Sequence, residues 1–174
     1  YDDLDDEEIA RRSELIGQAA LKYYVLDFNP RTNVQFNPEE SIDFQGRTGP
    51  YCQYSYARIQ SLGRRVGGWP DLDDRQRQEA LEALGTDREM EVVRKLQEWP
   101  DRVTAAVSHL DPSRITDHLF HLAKSFSSLY NDPDHRIVDL EGPRRAGLLL
   151  LARAVARTIE TGLALLGIET LEEM

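Results

Sequence analysis

The chain has 174 residues, 40% of them hydrophobic, and a formal net charge of −10. This is long enough for one domain of ordinary size with an appended segment and a real core. Composition argues against several classes. The most apolar window, Ala146 to Ala156, is interrupted by Arg153 and bounded by Arg144 and Arg145, so it reads as a buried helix face and not a membrane span. No signal peptide is expected. Cys52 is the only cysteine, which excludes an internal disulfide and fits a reducing, cytoplasmic setting.

The negative charge argues against a nucleic-acid ligand, because a protein that neutralises phosphates usually presents a basic footprint. The deficit is local, however. Residues 1–55 carry 5 basic and 11 acidic side chains, against 8 and 9 in 56–100 and 8 and 11 in 101–174. Beyond residue 55 the balance is only −4, and Arg58, Arg64, Arg65, Arg144, Arg145, Arg153 and Arg157 are available for local patches.

In chain order, the acidic run Asp2, Asp3, Asp5, Asp6, Glu7 and Glu8 suits a helix start, where carboxylates meet the positive end of the macrodipole. Ile9, Leu15, Ile16, Ala19, Ala20, Tyr23 and Leu26 have amphipathic helical spacing, which Asn29-Pro30 ends. Val34-Gln35-Phe36 reads as a short extended piece. A central helix is expected from Pro50 to the Gly67-Gly68 break, followed by a Trp69-Pro70-Asp71 linker. Further helices are expected from Asp74 to Gly85, from Thr86 to Pro100, through Val103 to Leu110, and from an Asp111-Pro112 start through the stripe Leu119, Leu122, Ala123, Phe126, Leu129 and Tyr130. Asn131 to Glu141 is a polar loop. The last helix starts near Gly142-Pro143 and buries Leu148, Leu151, Ala152, Val155, Ile159, Leu163 and Leu166. Gly167 fits the left-handed position after it, and Ile168 can fold back on Leu163.

Within the central helix, Tyr51, Tyr54 and Arg58 share one face. On spacing alone such a face is ordinary packing, although rings that stack on bases and a guanidinium that grips phosphate also make an RNA platform. The longer string FQGRTGPYCQYSYARI resembles the segment by which arginyl-tRNA synthetases, class I enzymes, enter their DALR-type anticodon-binding domain. The resemblance extends upstream to GQAALKYYVL and downstream, in order, to EWPDRVTAAV, HLFHLAKSFSSLY and GLALLGIETLEEM. It implies an all-α helical bundle over 49–174, with 1–48 a remnant of the catalytic body's end forming a separately attached helix and loop that has lost its partner. It also implies a tRNA(Arg) partner held by Tyr51, Tyr54, Arg58, Tyr130 and Met174, the last two beside the central anticodon base. The parent would use ATP with Mg to activate arginine, in the cytoplasm and as a monomer.

The chain itself lacks the HIGH-type and KMSKS-type signatures that such catalysis needs, so no cofactor is expected in it and the piece alone should be inactive. His118 and His121 lie three apart, but no third ligand is spaced to join them. Ser/His/Asp and Cys/His nucleophile sets and phosphate-cradling glycine patterns are absent as well. Asp132, Asp134 and Asp139 are expected to face, and disfavour, an anionic ligand. The alternative reading is a helical protein-interaction module with no RNA role, which the acidic balance would favour.

Overall fold

The computed structural model describes residues 4–132 and 136–174. α1 (Asp6–Leu26) begins where the acidic run supplies its own cap, the Asp5 carboxylate accepting the Glu8 N–H at 2.8 Å. After the single turn of α2 (Pro38–Ser41), the Thr48 hydroxyl caps α3 (Gly49–Arg65), with Pro50 in its first turn. α4 (Asp74–Glu82) and α5 (Asp87–His109) both open on reciprocal capping boxes, Asp73 with Gln76 and Thr86 with Glu89. At the start of α6 (Ser113–Tyr130) the Asp111 carboxylate accepts from the Ser113 N–H at 3.3 Å and its hydroxyl at 2.6 Å. A 3-10 turn at Ile137–Asp139 leads to α7 (Gly142–Leu165). No strand occurs among the described residues, and none of the helices is long and apolar enough to cross a membrane.

α3, α6 and α7 meet at the centre, where Ile59, Leu119, Leu122, Ile159 and Leu163 are fully buried. α5 lies along α6, and α4 along α7. The latter crossing is backbone to backbone: a methyl group added at Gly147 would run into the Ala80 carbonyl, so only glycine allows the approach.

Three features depart from the sequence reading. α5 runs unbroken through Pro100, where two helices were expected. A proline inside a helix forfeits one hydrogen bond and crowds the preceding turn, at a cost of about 3 kcal/mol. Packing on both sides offsets that cost: Val92 and Ala106 are buried, and the Trp99 ring stacks on His118 at 5.4 Å. The loop after α6 is not wholly polar in its packing, because Ile137 is part of the core.

Third, the N-terminal helix shares that core. Ala19 and Tyr23 pack within it, the Tyr23 hydroxyl donates to the Thr116 carbonyl at 2.6 Å, and the Cys52 thiol, pushed up to about 12 by burial, lies 3.8 Å from the same hydroxyl. Arg47 ties the end of α1 to α6 by bonding Asp27 and Asp117, each at 2.8 Å. The helix expected to lack a partner therefore has one in α3.

Glu89 is fully buried at the start of α5. It accepts the N–H groups of Gly85 at 2.8 Å and Thr86 at 2.9 Å, and Arg144 of α7 reaches it at 2.6 Å. Burial pushes its pKa up, but the two backbone donors and the guanidinium outweigh that and hold it below the usual carboxylate value.

Candidate nucleic-acid interface

Capping at Thr48 sets the rotation of α3, and that rotation decides what its faces carry. Tyr51 is half-buried against the Phe120 ring of α6, centroids 5.6 Å apart, and burial raises its phenol pKa. One turn on, Tyr54 is 44% exposed. A further turn on, the Arg58 guanidinium sits over the Tyr130 ring, 4.3 Å from its centroid, and donates to the Asn131 side chain. Tyr51, Tyr54 and Arg58 thus line one recess, a space of about 20 Å³ closed by Ser55, Ala123, Phe126 and Ser127.

The tail is placed by the end of α7. Gly167 has φ +69, the Gly167 N–H reaches the Ala164 carbonyl at 3.0 Å, and the Ile168 N–H reaches the Leu163 carbonyl at 2.9 Å, which together form a Schellman turn. Ile168 and Leu171 are then buried. Lys22 of α1 donates to the Gly167 carbonyl at 2.6 Å and Gln53 of α3 to the Glu169 carbonyl at 2.7 Å. The tail is therefore laid across α1 and α3.

The result is a cleft of about 730 Å³ between α1, α3, the end of α6 and the tail. Tyr54, Arg58, Tyr130 and Met174 line it together, while Tyr51 stands outside in the adjoining recess. Arg12, Arg64 and Arg65 line it as well. The last two were visible as a basic pair in the sequence. Arg12 was not, because the reading assigned α1 to a separate body, and no local signal shows that two helices share a wall. Arg144, expected to be available for a patch, is instead turned onto Glu89.

The other sequence-singled groups sit apart from the cleft. His118 is buried against Trp99, and His121 lies 3.5 Å from Asp117. No cluster of three His, Cys, Asp or Glu side chains suited to a metal occurs among the described residues. Of the three loop acids, Asp132 pairs with Arg88 at 3.0 Å and Asp139 with Arg136 at 3.1 Å, so arginines partly neutralise both; Asp134 lies outside the described residues.

A helical bundle that opens a cleft lined by two tyrosines and four arginines has the make-up of a nucleic-acid-binding domain, with rings for bases and guanidinium groups for phosphates. Comparison with known proteins makes this specific. The chain belongs to the DALR anticodon binding domain family, whose model matches residues 52–174. Its relatives include the arginine–tRNA ligase of Porphyromonas gingivalis, 37% identical over 175 residues, which cover 99% of this chain and 28% of the relative. The ligase of Treponema pallidum subsp. pallidum is 38% identical over 173 residues, covering 93% of this chain and 28% of the relative. Among solved structures, the arginyl-tRNA synthetase of Thermus thermophilus superposes with a TM-score of 0.84 at 28% identity, over 99% of this chain and 28% of that one. The chain thus spans a little over a quarter of the length of the curated relatives it matches.

Proposed function

We propose that this chain is the anticodon-holding part of an arginine–tRNA ligase, with residues 49–174 forming the binding domain and 1–48 coming from the end of the catalytic body. The parent would activate arginine with ATP and Mg and load it onto tRNA(Arg), in the cytoplasm and as a monomer. In this reading the chain contributes binding and no bond-making step. The observation that carries it is the cleft, in which Tyr54, Tyr130 and Met174 surround a space large enough for an unstacked base beside the Arg58 guanidinium. A thioether against a base is polarizable and adapts to its outline, and each ring–base stack contributes ~1–3 kcal/mol. Tyr51 supports Tyr54 from the recess and meets the loop at its edge.

The test is steady-state charging by the full-length ligase that carries this chain. Tyr54→Ala should raise the Michaelis constant for tRNA(Arg) about tenfold, the equivalent of one lost stack, and leave that for arginine unaltered. An unchanged constant for tRNA in a folded variant would overturn the assignment. The family match lends no support to the protein-interaction module.

A further inference from the structure

We propose that Arg64, with Arg12 opposite it, is a phosphate-binding pair for the RNA backbone, and that the tail's own Glu173 occupies this pair until RNA arrives. The inference rests on the reading above and extends it to the far end of the cleft. Tyr54, Ala57, Arg58, Ser61, Arg64 and Arg65 recur every three or four residues, so they form one stripe of α3, about 16 Å long at the helical rise. Its first turns carry the aromatic chemistry that bases need. Its last turn carries only guanidinium groups, which suit a backbone and not a base.

One carboxylate already sits there. Glu173 places Oε1 3.2 Å from Nη2 of Arg64 on α3 and Oε2 3.8 Å from Nη2 of Arg12 on α1, bridging the two helices. The same arginines also donate to tail carbonyls, Arg64 to Glu172 at 3.2 Å and Arg12 to Glu173 at 3.4 Å, and the Glu172 carboxylate stands 4.0 Å from Arg64. A phosphodiester presents the same features as the Glu173 carboxylate, one negative charge spread over two oxygens that match the guanidinium fork.

Two observations separate this role from plain tethering. The tail is held without Glu173, through the buried Ile168 and Leu171 and the bonds from Lys22 and Gln53. The Arg64–Glu173 contact is also solvent-exposed, with Arg64 45% and Glu173 58% accessible, and the contact to the more buried Arg12 is long at 3.8 Å; ion pairs of this kind are weak enough to exchange. Arg12 keeps its place when Glu173 leaves, because its Nε also bonds Glu8 at 2.7 Å. An RNA that makes no base contacts would have only its phosphates to set against the displaced Glu173, so the tail acts against non-specific polyanions.

The experiment measures equilibrium binding of a labelled tRNA(Arg) transcript to the full-length ligase over a salt series. Glu173→Gln should tighten binding about two- to fivefold, the equilibrium worth of an exposed ion pair, with the salt dependence little changed because the complex makes the same phosphate contacts. Arg64→Ala should weaken binding and make the salt dependence shallower by about 0.7, one phosphate contact on a single strand, and in its background Glu173→Gln should bring no gain. Weaker or unchanged binding by Glu173→Gln, or a gain that survives Arg64→Ala, would overturn the proposal. If Tyr54→Ala weakens binding while Glu173→Gln does not tighten it, only this proposal falls. If Tyr54→Ala has no effect, the reading of the whole cleft falls with it.

Discussion

His118 was one of a histidine pair that raised the question of a metal, and its surroundings give it a different physical role. It is buried and stacked on Trp99, and its pKa is lowered from 6.5 to about 4, by burial first and then by the Arg102 and Lys95 charges, with Glu98 and Asp117 acting the other way. The unfolded chain takes up the imidazole proton below pH 6.5, the folded chain only below about 4. Between those values unfolding binds a proton, so the stability supplied by this site is complete above pH 6.5 and is lost as the pH falls toward 4. Urea unfolding at half-unit steps should show this slope in the parent chain and a flatter one, by at most ~1.4 kcal/mol per pH unit, in His118→Asn. Parallel slopes for the two proteins would assign the acid sensitivity elsewhere.

Among the elements, α5 illustrates what local chemistry can and cannot specify. Its start was expected at Thr86, but that position does not reveal that Glu89, which closes the capping box there, also receives Arg144 from α7 and is fully buried. Removing the carboxylate leaves the partly exposed Arg144 guanidinium with the Ala83 carbonyl but no counter-charge from Glu89, and frees two backbone donors. Glu89→Ala should therefore cost about 3 kcal/mol, or roughly 6–12 °C in Tm for a chain of this size, and a calorimetric loss under 2 °C would refute the account. Helix α5 also ran on through Pro100, because the prolyl penalty is local whereas Val92, Trp99 and Ala106 gain their burial from α6 and its neighbours. The glycine turn at 167 and the Pro50 start of α3 were readable for the opposite reason, since their geometry is settled within a few residues.

At the scale of the molecule, helix content and order followed from periodicity, and four of the five residues singled out in the sequence lie near one another: Tyr54, Arg58, Tyr130 and Met174 line one cleft although 120 residues separate the first from the last. What periodicity could not supply was the place of α1. An amphipathic stripe states that a helix has a partner, not which one, and here Tyr23 and Ala19 found theirs in α3 and α6 while Arg12 became a wall of the cleft. The net charge misled in a similar way, because arginines gather on one stripe of α3 regardless of the sum over the chain.

The crossing at Gly147 makes α7 a ruler. Its zero mark is the point where it rests on the backbone of α4, and Gly167, where the tail departs, lies about 30 Å further along at the helical rise. The position of Met174 is therefore gauged from the opposite end of the bundle, by a contact with no share in the cleft. A methyl group at 147 would lift α7 off its mark, so Gly147→Ala should cost about 1–3 kcal/mol of stability and also raise the Michaelis constant of the full-length ligase for tRNA. If the constant stayed put while the stability fell, the gauge would lie closer to the tail, in the grip of Lys22 and Gln53.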